Sequence, residues 1–124
     1  MEYRFKVQIY YEDTDHSGVV YHANYLKYFE RAREQVIGTQ ELTRLWMEEG
    51  LGFAVYKVEM GFFDGAVFGD ELEIRSRWEL EGKYRIIWFQ EAWRPLGKKA
   101  AVKAKIEMVC LDRNKNLTPI PYQG

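Results

Sequence analysis

The stretch Asn24-Tyr25-Leu26-Lys27-Tyr28-Phe29-Glu30-Arg31-Ala32-Arg33-Glu34-Gln35-Val36 decides the fold, because the periodicity of the chain changes there. Tyr25, Phe29, Ala32 and Val36 recur at helical spacing, while Lys27, Glu30, Arg31 and Glu34 fall on the opposite face, the pattern of an amphipathic helix. Gly38 and Thr39 interrupt it. Thr39 is placed to N-cap a second segment that carries Leu42, Leu45 and Trp46 and closes at Gly50. A straight helix over 24–49 would run ~39 Å at 1.5 Å per residue, longer than the ~35 Å width that size scaling gives a domain of this length. The spacing therefore predicts a bend at Gly38.

On both sides of this segment the period is two. Tyr3, Phe5, Val7 and Ile9 alternate with Arg4, Lys6 and Gln8, the signature of a half-buried strand. Downstream, Leu72, Ile74, Trp78 and Leu80 alternate with Glu71, Glu73, Arg75, Arg77 and Glu79, after a connecting loop over Gly61 to Asp70. Glu81-Gly82 and Arg94-Pro95-Leu96-Gly97 then separate strands at Tyr84 to Trp93 and Ala100 to Leu111. Successive hairpins make an antiparallel sheet. Strands of about ten residues extend ~33 Å, so a sheet with only one main helix must curl around it to cover its apolar face. The expectation is α+β, about five antiparallel strands wrapped around one long central helix. Tyr84, Ile86 and Trp88 lie on one face of their strand and Ile87, Phe89 and Trp93 on the other, so a second subunit is expected to cover the outer face.

Nine Tyr, seven Phe and four Trp, within 47% apolar residues, exclude a disordered chain, and no repeat, linker or low-complexity tract divides the 124 residues. A single domain over 1–124 is expected, with Pro119 and Pro121 marking a tail. Eighteen basic residues against nineteen acidic give a net charge of -1, without the basic excess that drives nucleic-acid binding. Cys110 is the one cysteine, so no internal disulfide forms, and a reducing cytoplasm fits. The start of the chain has no apolar signal region, and no uncharged apolar run approaches the ~20 residues of a membrane span.

Polar and ionisable residues concentrate between Glu12 and Asn24, after the first strand and before the helix. Turn formation and the helix dipole account for Asp, Ser and Gly there without any chemistry. Asp13, Asp15, Ser17 and Gly18 match the opening of an EF-hand loop, but its twelfth position holds Asn24 instead of Glu and a strand leads in. His16 and His22 lack zinc-ligand spacing, so no metal and no cofactor is expected. Acyl transfer to water uses the whole loop. It needs a carboxylate as nucleophile or base, which Asp15 supplies, and donors for an oxyanion, which the unpaired N–H groups of a helix start supply.

Gln8-Ile9, Thr14-Asp15, Gly18-Val19-Val20, His22 and Tyr25 resemble the active-site signature of the 4-hydroxybenzoyl-CoA thioesterase family of hotdog-fold proteins. Tyr11-Glu12-Asp13-Thr14-Asp15 and Tyr25 through Arg33 are similar to the bacterial acyl-CoA thioesterases associated with the Tol-Pal envelope system, and Gly69-Asp70-Glu71-Leu72 and Val109-Cys110-Leu111-Asp112-Arg113 extend the similarity over nearly the whole chain. The resemblance implies a hotdog fold and hydrolysis of a short-chain or aromatic acyl-CoA. It places the catalytic carboxylate on Asp15 and the oxyanion donor on the His22 N–H; the His22 side chain either assists or only hydrogen-bonds the loop. Glu30, on the helix, is the reserve carboxylate, and its position ~12 Å along from His22 argues against it. Gly18, Val19, Tyr21 and Tyr25 are implied to hold the substrate. Lys83 and Arg85, with Lys98-Lys99 as a further cation pair, are implied to face the CoA nucleotide. Asp64-Gly65-Ala66-Val67 departs from the Pro-Ala-basic run usual in the subfamily: Gly65 loosens the backbone and Val67 removes a charge. An acyl carrier protein is the other thioester partner the resemblance admits, and a homodimer or homotetramer is expected. A hotdog dehydratase, or an acyl-thioester-binding scaffold for lipid-synthesis enzymes, are the competing functions on this fold.

Overall fold

The computed structural model describes residues 1–122. Strand β1 (Tyr3–Gln8) is followed by a 3-10 turn (Tyr11–Asp13), the loop, helix α1 (Asn24–Ile37), helix α2 (Thr39–Arg44) and a wide helical turn (Leu45–Glu49). Then come β2 (Gly52–Phe62), β3 (Glu71–Glu81), β4 (Arg85–Trp93), β5 (Val102–Leu111) and β6 (Leu117–Thr118). Six strands form one sheet, in the order β1-β3-β4-β5-β2, and every pairing is antiparallel. The architecture is α+β, as expected. The strand beyond the expected five is β6, two residues long, in the segment read as a tail. It pairs with the end of β5, and Ile120 N–H donates to the Lys83 carbonyl, so the chain end continues the line where β4 stops.

The helix lies against the concave face through Tyr25, Tyr28, Phe29 and Ala32, all buried against a core that includes Leu72, Ile74, Ile86, Trp88, Val102 and Ile106. One polar network pins its middle. The Gln90 side chain donates to the Phe29 carbonyl and to Ser76 Oγ at 3.0 Å each, and accepts from Arg33 Nη1 at 3.0 Å. All three side chains are buried, so each bond also satisfies a group that burial would otherwise leave unpaired at a cost of about 1–3 kcal/mol.

The bend falls at Gly38, with φ 101 and ψ 129. Gly38 occupies the cap position of α2, and Thr39 is its first residue with no side-chain cap, so the expected Thr39 cap is corrected by one residue. Gly50 closes the helical region at φ 67. The outer face of β4 is partly covered within the chain itself. Arg75 lies over the Trp93 ring at 4.0 Å and Arg77 over Phe89 at 4.2 Å, while Ile87, flanked in the sheet by Glu79 and Glu107, is buried within the single chain. Long charged side chains laid flat over these rings cover part of the face, and Phe89 and Trp93 remain half-buried.

Candidate active site

The loop between β1 and α1 is shaped by its own carboxylates. Asp13 Oδ2 accepts the Tyr10 N–H at 2.8 Å, and its backbone carbonyl accepts both the Tyr21 N–H at 2.9 Å and the Asn24 side chain at 3.0 Å. Asp13 thereby ties the two ends of the loop together. Buried Tyr28 faces it, and its hydroxyl pKa is pushed up by burial and by the Asp13 charge. Asp15 heads a tight turn: its N–H donates to the Val19 carbonyl at 2.8 Å, its carbonyl accepts the Gly18 N–H at 3.0 Å, and Oδ1 accepts the Ser17 N–H at 2.8 Å. Gly18 sits at φ 82, where a side chain is strained.

This turn is stitched to the segment that links β2 to β3. Val20 N–H donates to the Ala66 carbonyl at 2.9 Å, and Val19 bridges to Val67. Between them opens a cleft of about 300 Å³ lined by Asp15, Val19, Val20, His22, Tyr25, Phe62, Asp64 and Gly65. The start of α1 borders it. Ala23 precedes the helix without a side-chain cap, and among the described residues no acceptor bonds the backbone N–H of His22 or Ala23. The His22 ring lies 4.7 Å from that of Tyr21 and 6.2 Å from that of Phe62, and Phe62 stands edge-on to Tyr25 at 5.9 Å. Burial raises the Tyr25 phenol pKa, so Tyr25 is a neutral hydroxyl.

The cleft wall is braced from behind. Arg94, just beyond β4, donates from Nε to Asp70 Oδ2 at 2.9 Å and from Nη1 to Asp64 Oδ2 at 3.2 Å. The Arg94 hydrogen bond, then the Gly65 N–H on its other oxygen, hold the Asp64 carboxyl below the usual aspartate range; the charge of Lys99 adds to this.

Of the residues singled out from sequence, Asp15, Val19, His22 and Tyr25 share the cleft. Gly18 and exposed Tyr21 flank it. Lys83 and Arg85 do not reach it. Phe62 pairs with Val102 and Val102 with Ala92, so Arg85 stands seven positions up its strand from the cleft row, ~23 Å away at 3.3 Å per residue. Arg85 is engaged with Glu81, Tyr56 and Glu107. Glu30 lines a different cavity, of about 450 Å³, toward the far end of α1. Phe62 was not foreseen: an apolar residue ending a strand looks the same whether it fills a core or walls a cleft. Among the described residues, no three His, Cys, Asp or Glu converge as a metal cage, and no helix is long and apolar enough to cross a membrane.

The Thioesterase-like superfamily matches residues 10–123 of this sequence. An acyl-CoA thioesterase YbgC of Helicobacter pylori is 43% identical over 88 residues, a match spanning 71% of this chain and 65% of that protein. The acyl-CoA thioesterase YbgC of Haemophilus influenzae is 33% identical over 122 residues, 97% of this chain and 88% of the relative. A solved probable thioesterase from Bartonella henselae superposes with a TM-score of 0.87 at 29% identity, covering 98% of this chain and 100% of that one. With a sheet wrapped around one long helix and a match that runs through both the loop and the sheet, the chain belongs to the thioesterase-like superfamily and has its hotdog fold.

Proposed function

We propose that this protein hydrolyses the thioester of a short-chain or aromatic acyl-CoA to the free acid and CoA. The observation that carries the reading is the meeting, in one cleft, of Asp15 with His22, which stands just before α1 and whose backbone N–H, like that of Ala23, bonds no acceptor among the described residues. A thioester carbonyl directed at the His22 N–H gains a donor and the positive end of the helix dipole for the charge that develops on its oxygen. One such donor is worth about 2.7–4 kcal/mol in transition states of this type. Asp15, held in its turn by the Ser17 N–H, either attacks the carbonyl carbon, giving a mixed anhydride that water then cleaves, or takes the proton of an attacking water. CoA leaves as the thiol in both. The relatives named acyl-CoA thioesterase support this chemistry, and no cofactor enters it.

The same reading assigns Val19, Tyr25 and Phe62 to the walls around the reacting group, with Gly18 and Tyr21 beside them. Lys99, whose charge reaches Asp64, and Lys98 beside it are the cations at the cleft end of their own chain. Lys83 and Arg85 serve a nucleotide only in the cleft of another copy. β2 is the free end of the strand order, and two copies pairing antiparallel through it bring the Gly52 end of one beside the Phe62 end of the other. We propose that homo-oligomer, a dimer or a pair of dimers, as the working form. Buried, unpaired Cys110 suits a reducing cytoplasm.

Thiol release from a panel of acyl-CoA esters, followed for the parent and for Asp15→Asn, tests the reading. The variant keeps the shape and removes the charge, so turnover is expected to fall at least ~10²-fold with substrate binding retained. A folded Asp15→Asn protein with parental turnover would overturn it.

A further inference from the structure

Gly65 is a glycine that its own backbone does not require. Its φ lies outside the left-handed region where the chain keeps Gly18, Gly38, Gly50, Gly69 and Gly82. What it lacks is room. A Cβ at this position would lie 2.8 Å from Val19 Cγ1 and 3.3 Å from Val19 Cβ. Turning the valine about χ1 relieves the first contact and leaves the second, and a β-branched side chain has few rotamers to turn to. A side chain at position 65 therefore pushes the backbone at Val19 and the cleft wall apart by a few tenths of an ångström.

The two partners differ in how firmly they are held. The wall is fixed from behind by the Arg94 bonds to Asp64 and Asp70, by the Asp70 Oδ2 bond to the Val67 N–H at 3.0 Å, and by Ala66, which is fully buried. The turn carrying Asp15 is exposed at His16, Ser17 and Gly18, and its closing bond runs from the Asp15 N–H to the Val19 carbonyl. Displacing Val19 thus moves Asp15 before it moves the wall.

We propose that Gly65 is a positioning residue: its missing side chain lets Val19 close directly against the cleft wall, and that contact sets where Asp15 stands relative to the start of α1. The kinetic consequence rests on the hydrolase reading above; the mechanical coupling does not. It makes Val19 and position 65 a complementary pair, in which bulk added on one side must be removed from the other.

Two measurements on Gly65→Ala, Val19→Ala and the double variant test this, with far-UV circular dichroism to confirm folding. In thiol release from an acyl-CoA ester, Gly65→Ala is expected to lose at least ~10-fold in kcat with KM changed less than ~2-fold, since misplacement by about 1 Å can cost ~10²-fold. Val19→Ala, which opens the same contact from the other side, loses ~3-fold by the same argument, and the double variant, which restores one methyl to the gap, recovers to within ~3-fold of the parent. In hydrogen exchange, the Asp15 amide, bonded to the Val19 carbonyl in the parent, exchanges faster in each single variant and slows again in the double. Parental kcat in Gly65→Ala, a double variant no better than Gly65→Ala, or an Asp15 amide indifferent to all three changes overturns the proposal. If Gly65→Ala does not fold, the Asp15 amide decides it, exchanging faster in Val19→Ala than in the parent and slowing again in the double variant. A parent that releases no CoA from any ester would sink the hydrolase reading alone and leave the exchange pattern to judge Gly65.

Discussion

Asp64 and Arg94 show how a surface ion pair can shape a cleft without adding much to stability. The carboxyl lines the cleft, and the guanidinium holds it from outside while also gripping Asp70. Asp64 is consequently expected to titrate below the ordinary aspartate value near ~4 in the parent, and to return toward it in Arg94→Met, as read by its side-chain carbon resonance in an NMR titration. The sign follows from linkage: a carboxyl whose pKa is lower in the folded state stabilises the fold above its unfolded pKa, and that contribution is lost as pH falls through the folded value. Arg94→Met should therefore lower the neutral-pH Tm slightly, since an exposed pair contributes little, and flatten the acid-side loss of Tm by that same small amount. An Asp64 titration identical in both proteins would show that the bond does not form. At this scale the sequence was readable where the site is contiguous. Asp15, Val19, His22 and Tyr25 lie within eleven residues and meet through local turns. Asp64 and Gly65 stand out in the sequence only as a departure from a familiar pattern, and Phe62 not at all, since nothing local tells a strand end that it will face a loop forty residues away.

Among the elements, α1 was the most legible, because its apolar stripe and its stop at Gly38 agree. Gly38 joins α1 to α2 with φ 101 and ψ 129, a conformation nearly closed to other residues, and open space surrounds its missing Cβ. Gly38→Ala therefore pays for the backbone alone, ~1–3 kcal/mol. Urea unfolding of the variant should show a lower midpoint with an unchanged slope. A loss below ~0.5 kcal/mol would mean that the joint relaxes into another geometry, at odds with the usual cost. The Arg33-Gln90-Ser76 network was not readable. Gln90 interrupts an otherwise apolar face of β4, and a polar residue in that place looks like a solvated position until the helix carbonyl of Phe29 is seen above it. On the outer face of β4 the guanidinium groups of Arg75 and Arg77, which the alternation shows only as outward charges, lie over Trp93 and Phe89 and cover part of it. Strand β6 is too short to carry a period.

For the whole molecule, the open question of assembly moves from the face of the sheet to its edge. With the outer face of β4 partly covered, β2 is an edge strand that exposes apolar side chains: Val55, Tyr56, Val58 and Phe62 are 44%, 48%, 40% and 49% exposed. Among the described residues β2 bonds only to β5, so its other side offers a row of unpaired N–H and C=O groups along eleven residues, and the charges it exposes, Lys57 and Glu59, pair with each other, which leaves it a template for pairing with another strand. The other edge, β1, is six residues long against eleven and so offers a shorter template. A second copy pairing antiparallel at β2 would extend the sheet across both chains and satisfy both edges at once, with the same surface on each side, as two-fold symmetry requires. Light scattering after gel filtration at micromolar concentration is therefore expected to give a mass of twice or four times 14.8 kDa. Val58→Lys adds a second lysine next to Lys57 in the middle of that edge, where Glu59 offsets only one, and should shift the protein toward 14.8 kDa while leaving the far-UV spectrum unchanged. Because antiparallel pairing also sets the Lys83 and Arg85 end of one copy beside the Phe62 end of the other, the same variant should lose efficiency on acyl-CoA more than on the N-acetylcysteamine ester of the same acid, which has no phosphates for those cations to hold. A stable, fully active monomer of the parent would contradict the arrangement, and equal losses on both esters would separate assembly from nucleotide recognition.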